Sequence, residues 1–273
     1  MFGLMLLGAL LGNVVNTVMI MILGDAFSAS YAQLVAYPIQ FIPPILYASA
    51  KSHREEMFEG PCVPVDNYRV GKTADGKPQI ATWLIALMCA VATIACAVVT
   101  EPLVAMLPDM PEWIRTLLES VTGGPLWCSI VLAAVFAPIF EEWMCRGIVM
   151  RGLLHHKSPA VAILGSAAFF ALIHLNPWQA IPAFILGCVF GLVYYKTGSL
   201  KLTMLMHCAN NSFAILMANM PGVQDKDYLY QIIGDNLTYG VVYAASLALI
   251  VLFVVRVQAL PAPENSGHAT PVE

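Results

Sequence analysis

Charge is the scarcest commodity in this sequence. Only 11% of its 273 residues are Asp, Glu, Lys or Arg, against roughly 25% in an ordinary soluble domain. Hydrophobic residues make up 59%, and the mean hydropathy is +0.74. That balance excludes a water-soluble fold and marks a polytopic membrane protein. The net charge of -4 and the lack of any basic cluster leave no footprint for nucleic acid and no basic address. Met1–Leu11 has no positive n-region, and Asn13 and Asn16 interrupt where a cleavage site would be sought, so the segment reads as a first span and not as a secretory signal. The cysteines show no C-x-x-C or disulfide-framework spacing. Cys62 lies in a polar loop; Cys89, Cys96, Cys128, Cys145, Cys188 and Cys208 lie in apolar segments and read as reduced packing residues. H-E-x-x-H is absent, as are a fixed-period repeat and the paired broken helices of the usual transporter pattern.

What is present is a series of apolar segments, roughly 3–24, 31–50, 80–106, 126–150, 159–175, 178–195, 201–219 and 238–256. Each supplies something near the ~20 helical residues that cross a hydrocarbon core about 30 Å thick. The expected fold class is therefore all-α: a polytopic membrane helix bundle of about eight transmembrane helices. Residues 1–257 read as a single integral-membrane domain and 258–273, rich in Pro, as a disordered cytoplasmic tail. The loop from Lys51 to Gln79 is too polar to cross. Pro111–Val121 carries Trp113, Ile114, Leu117 and Leu118 at helical spacing against Glu112, Arg115 and Glu119, which suits an amphipathic helix in the outer interface.

Orientation follows from the flanking cations, which cytoplasmic ends carry in excess. With eight alternating crossings, Lys51, Arg54, Arg69, Lys72, Lys77, Arg151, Lys157, Lys196, Lys201 and Arg256 fall on one side. Only Arg115 and Lys226 fall opposite. Both termini are then expected in the cytoplasm, with the plasma membrane as the expected location and the lipid bilayer as the surrounding partner.

Against this apolar background three polar groupings stand out. Glu141-Glu142-Trp143-Met144-Cys145-Arg146 places ionisable groups at the end of the apolar run from Trp127 to Phe140, where each costs about 2.5–3.5 kcal/mol to insert. Glu142 and Arg146 are four apart, acid first, the favoured spacing for a helical ion pair. Glu141 lies about 100° further round, so one carboxylate can be neutralised while the other stays free. Phe170 and His174, and likewise His207 and Asn211, are each one helical turn apart on a shared face. Counting about 1.5 Å per residue from the flanks puts this set between the midplane and the cytoplasmic face, with His174 deepest. The chemistry that suits it is hydrolysis: a desolvated carboxylate takes a proton from water, an imidazole holds that water, and neutral donors receive an oxyanion. Ser166, Ser212 and Cys208 have no base placed to activate them.

At these residues the sequence resembles the type II CAAX prenyl endopeptidases and bacteriocin-processing proteins, the Abi family of intramembrane proteases. The family's E-E-x-x-x-R, F-x-x-x-H and H-x-x-x-N marks are matched by Glu141-Glu142-Arg146, Phe170-His174 and His207-Asn211, within a stretch from about 123 to 217. Cys145 stands where many relatives carry an aromatic residue. The resemblance implies an eight-helix membrane protease acting on a membrane-associated protein or peptide, prenylated or carrying a leader. Glu141 with His174 would activate water, His207 and Asn211 would stabilise the oxyanion, and Glu142 with Arg146 would shape the site.

Blander readings stand beside this one. Glu141, Glu142 and Arg146 could staple helices together, His174 beside Asn176 and Pro177 could be a cap, and His207 with Asn211 could be interhelical hydrogen-bonding glue. Glu141, His174 and His207 also form a two-His, one-carboxylate set of the kind that binds catalytic zinc. From other classes, the same residues could serve a proton or ion relay in a transporter or sit idle in a membrane scaffold. The orientation has a direct check: Cys62 is expected to react with a thiol reagent from the cytoplasmic side, and labelling of intact cells only by a membrane-impermeant maleimide would invert the topology.

Overall fold

The computed structural model describes residues 1–23, 29–55, 82–122, 125–223, 226 and 228–260. Most of the loop expected between Lys51 and Gln79, with Cys62, and the tail from residue 261 lie outside the described residues. Every element among the described residues is a helix. In chain order they are α1 (Phe2–Leu23), α2 (Ala29–Ile39), α3 (Ile42–Glu55), α4 (Thr82–Ala105), α5 (Glu112–Thr122), α6 (Leu126–Leu154), α7 (Pro159–Leu172), α8 (Pro177–Thr197), α9 (Leu200–Asn219), α10 (Leu229–Ile233) and α11 (Asn236–Gln258). The protein is an all-α integral membrane protein.

Helices α1, α4, α6, α8 and α11 are long and apolar enough to cross a bilayer. The other three expected spans differ for separate reasons. The second is split into α2 and α3 at Gln40-Phe41, because Pro43 and Pro44 supply no N–H and Pro38 already breaks the bonding on the other side. The fifth, α7, is a shorter apolar helix of 14 residues. The seventh, α9, has 20 residues but carries Lys201, His207, Asn210 and Asn211 within them. The amphipathic segment forms α5, with Ile114 buried and Trp113 exposed.

Several ends are explicitly capped. Ser158, Asn176, Ser199 and Asp235 each accept a backbone N–H from the first turn of the following helix. The Asp235 carboxyl is held below its ordinary range by the hydroxyl and N–H of Thr238. α8 ends on Gly198 at φ 66, a conformation that glycine adopts without strain.

Small residues let the helices approach. A Cβ at Gly8 would meet the carbonyl oxygen of Gln40 at 1.9 Å, and one at Gly12 the carbonyl of Ala36 at 2.9 Å, so α1 lies directly on the α2 backbone. Gly187 and Gly191 repeat the device on α8, against Ala167 and Ile163 of α7. Both pairs have the small-xxx-small spacing that replaces a hydrophobic driving force inside lipid. The main core joins α4, α8, α9 and α11 through Cys89, Phe190, Val193, Met206 and Phe253. The six described cysteines outside the loop are all free.

The two ends of the bundle differ. At one, Lys196 Nζ donates to Leu260 O at 2.8 Å, Ile85 and Arg256 share a small cavity with Thr197, and Leu154, Ala162, Tyr194 and Leu200 pack together. This end carries Arg151, Lys157, Lys196, Lys201 and Arg256. At the other end, Trp178 Nε1 donates to Pro108 O at 2.9 Å and Tyr230 N donates to Glu101 Oε1 at 3.3 Å. The packing predicts that Gly8→Ala destabilises the protein by about 1–3 kcal/mol, as overpacking does. Gly3→Ala, whose Cβ would meet nothing within 4 Å, should be neutral; equal melting temperatures for both variants in detergent would refute the close approach.

Candidate active site

Helix α6 positions the acidic pair. Its hydrogen bonding widens to the i→i+5 pattern over Ile130–Phe136 and again over Trp143–Met150, with a short α-helical stretch, Ala137–Glu142, between them. Ala137 N–H bonds the Leu132 carbonyl. The next residue, Pro138, has no N–H to offer the Ala133 carbonyl. Asn211 Nδ2 on α9 donates to that oxygen at 2.7 Å. A break in one helix is thus satisfied by a side chain of another, which fixes the rotation of α9 against α6.

Glu142 and Arg146 form the expected pair: Arg146 Nη1 donates to Glu142 Oε1 at 2.7 Å, and both side chains are fully buried. Arg146 Nη2 donates to Gly187 O at 3.0 Å, where the missing side chain leaves room for the guanidinium. The Phe170 and Phe190 rings flank it, with centroids 4.8 and 5.4 Å from Cζ, a cation–π arrangement. Glu142 Oε1 also receives His207 Nδ1 at 3.2 Å. A carboxylate only accepts, so Nδ1 carries the proton and Nε2 of a neutral His207 keeps its lone pair.

His174 is set the same way, with Nδ1 2.8 Å from the Phe170 carbonyl oxygen, so its Nε2 is likewise the unprotonated nitrogen of the neutral ring. It sits in the turn between α7 and α8. That turn passes through Leu175 at φ 56, a left-handed conformation unusual for a branched apolar side chain. Asn176 holds the turn from the other side, with Nδ2 2.9 Å from His174 O and Oδ1 accepting Gln179 N at 2.9 Å. Backbone strain of this kind, retained beside a polar side chain in a cavity, is characteristic of functional positions.

Glu141 is half-buried and accepts a hydrogen bond from Tyr37 Oη at 2.5 Å. It shares a cavity of about 350 Å³ with Tyr37, His174 and Gln179. His174 and Gln179 also line a second cavity of about 440 Å³, together with His207, Asn210 and Asn211. The sequence-derived set is therefore gathered around two adjoining cavities with His174 in their common wall. The Phe170 ring stands edge-on to both His174 and His207, with centroids 5.2 and 5.4 Å away.

Three sequence readings need adjustment. The Asn211 amide is engaged by the Ala133 carbonyl, and its Oδ1 accepts Asn210 Nδ2 at 3.0 Å, so structural glue describes part of its work. Glu142 does more than pair with Arg146, because it also orients His207. The depth reading places the set toward the cation-rich end, whereas the larger cavity is lined by Ala97, Thr100 and Glu101 from the far half of α4, with Trp178 and Tyr228, and so extends toward the cation-poor end. Rise per residue gives the depth of a Cα but not the direction in which helices part.

Sequence reading missed Tyr37, Gln179 and Asn210. Each is a polar side chain inside or beside an apolar segment, the signal that singled out the glutamates. The zinc alternative would draw on Glu141, His174 and His207. No three His, Cys, Asp or Glu side chains cluster as metal ligands among the described residues, while zinc ligation needs donors about 2.0–2.2 Å from one ion.

Residues 123–213 match the family model described as type II CAAX prenyl endopeptidase Rce1-like, and the matched stretch contains all three motif groupings. Neither a curated protein nor a solved structure matches the chain. The matched family is a protease family.

The buried pair generates a folding prediction. Arg146→Ala should cost about 3–5 kcal/mol, because it strands the Glu142 charge, and adding Glu142→Gln should recover part of that loss. Unfolding in detergent of the two single variants and the double variant measures it; additive losses would show that the residues do not act as a pair.

Proposed function

We propose that this protein is an intramembrane endopeptidase that hydrolyses a peptide bond of a membrane-associated substrate with a water activated by Glu141 and His174. The observation that carries this reading is the shared wall at His174, which joins a carboxylate-bearing cavity to one bearing a second imidazole and two carboxamides. The match of residues 123–213 to a protease family supports it. Residues 1–257 serve as one protease domain.

The groups divide the work by environment. Tyr37 holds Glu141 through one oxygen, leaving the other to take a proton from water, while His174 Nε2 accepts from the same water and aims it. Attack on the scissile carbonyl carbon turns its oxygen into an oxyanion. Donors on the His207 and Asn211 side of the larger cavity receive that charge; the unbonded Nδ2 proton of Asn211 is available for it, and His207 donates from Nε2 when protonated. Glu142 holds the ring in place for this by accepting from Nδ1. Collapse of the intermediate transfers the proton from Glu141 to the leaving nitrogen, breaks the C–N bond and yields a carboxylate and an amine.

Glu141→Gln keeps size and the Tyr37 acceptor but loses basicity, so turnover should fall by about 10²–10⁴ while the bundle stays folded. Asn211→Ala should cost about 10²–10³ through the oxyanion, with some loss of stability from the unpaired Ala133 carbonyl. Proteomic comparison of peptides cleaved in native membranes by the wild type and by Glu141→Gln measures the first; an unchanged peptide set would end the assignment. In the same assay a metal-free water site survives a membrane-permeant chelator, whereas activity lost and restored by zinc would replace this mechanism with the zinc one.

A further inference from the structure

Glu101 is a carboxylate on a membrane span that the mechanism above does not use. It is half-buried near the cation-poor end of α4 and lines both the 440 Å³ cavity and a neighbouring one of about 430 Å³. These two cavities share Ala97, Glu101, Asn210, Ala214 and Tyr228, so they adjoin, and a passage along both would run past Glu101. At its inner end are His174, His207 and Asn211; at its outer end are Lys226 and the α10 residues Leu229 and Ile232.

We propose that Glu101 is a specificity-determining residue: its carboxylate, beside the Tyr228 ring, forms a subsite for a Lys or Arg side chain of a peptide entering from the cation-poor end. This rests on the endopeptidase reading. A carboxylate is disfavoured in a span unless a cation, donors or function compensate for it. The protein groups that meet Glu101 are neutral donors, the Tyr230 N–H at 3.3 Å and the Tyr239 hydroxyl. Lys226, the cation of this lining, is exposed and makes no ion pair with it among the described residues. Tyr228 and Tyr230 stack at 5.5 Å and 13°, presenting aromatic surface beside the carboxylate. A carboxylate next to aromatic faces suits an ammonium or guanidinium, through charge and through cation–π attraction. An acidic substrate residue would meet the same carboxylate as repulsion, so the passage selects by sign.

A purely structural Glu101 would serve by holding α10 through the Tyr230 N–H. Glu101→Gln keeps an acceptor oxygen for that N–H and removes the charge, which separates the two roles. The test uses the full-length enzyme in liposomes and a positional library of internally quenched peptides carrying Lys, acetyl-Lys, Gln or Glu at each position. The wild type should favour Lys over acetyl-Lys at one fixed distance from the cleaved bond. In Glu101→Gln, kcat/KM for that Lys peptide should fall about tenfold or more, with the Gln peptide unchanged. Glu101→Lys should shift the preference to Glu. Equal cleavage of Lys and acetyl-Lys peptides by the wild type would overturn the proposal without any variant, as would an unchanged Lys preference in active Glu101→Gln. Cleavage that survives Glu141→Gln would instead show that the endopeptidase reading of this site has failed.

Discussion

The architecture around the site depends on one buried charge, the Glu142 carboxylate. Its oxygen Oε1 receives Arg146 from the same helix and His207 from α9, and Arg146 extends the connection to the Gly187 carbonyl on α8 and the Phe170 ring on α7. Four helices therefore meet at a single ion pair. In lipid such a pair is disfavoured relative to apolar packing unless every lone pair and proton is matched. Here Glu142 Oε2 and Arg146 Nε, both buried, lack protein partners. A pair kept only as a staple would be expected to satisfy them. The arrangement is better suited to fixing the orientation of an imidazole than to maximising stability.

The helical elements were legible in the sequence because hydropathy and flanking cations report directly on membrane burial. The bounds read for α1, α4, α8, α9 and α11 agree with the structure to within about two residues, and the spacing of Glu142 and Arg146 translated directly into a bond. Hydropathy is blind to backbone bonding, so the division of the second span at Gln40-Phe41 was hidden inside an apolar run. The widened turns of α6 were hidden for the same reason, although Pro138 signalled a missing donor.

Long-range side-chain partners were less legible. Helical spacing says which residues share a face, but not how that face is turned toward its neighbours. His207 and Asn211 do share a face, yet one donates to Glu142 and the other to the Ala133 carbonyl. Tyr37 meets Glu141 from a helix more than a hundred positions away in sequence, and no local pattern encodes that contact. The close packing of Gly8 on α2 and Gly187 on α7 supplies the missing rotations, because backbone contact tolerates little sliding.

The sidedness of the passage bears on substrate class. If the cation-rich end is cytoplasmic, as the flanking-residue bias implies, a passage through Glu101 and Tyr228 opens toward the opposite face. A substrate would then present its scissile segment from within the bilayer or from the non-cytoplasmic side, unlike a chain end arriving from the cytoplasm. Glu141 and its smaller cavity, lined by α1, α2 and α5 residues including Met5, Gly12, Tyr37 and Leu118, lie across His174 from that passage. Substrate and water would thus approach the common wall from different sides. This separation matters chemically, because a carboxylate base loses strength when it is fully hydrated and access when a peptide covers it. His174, held by the Phe170 carbonyl and the Asn176 turn, is the group that can touch both sides.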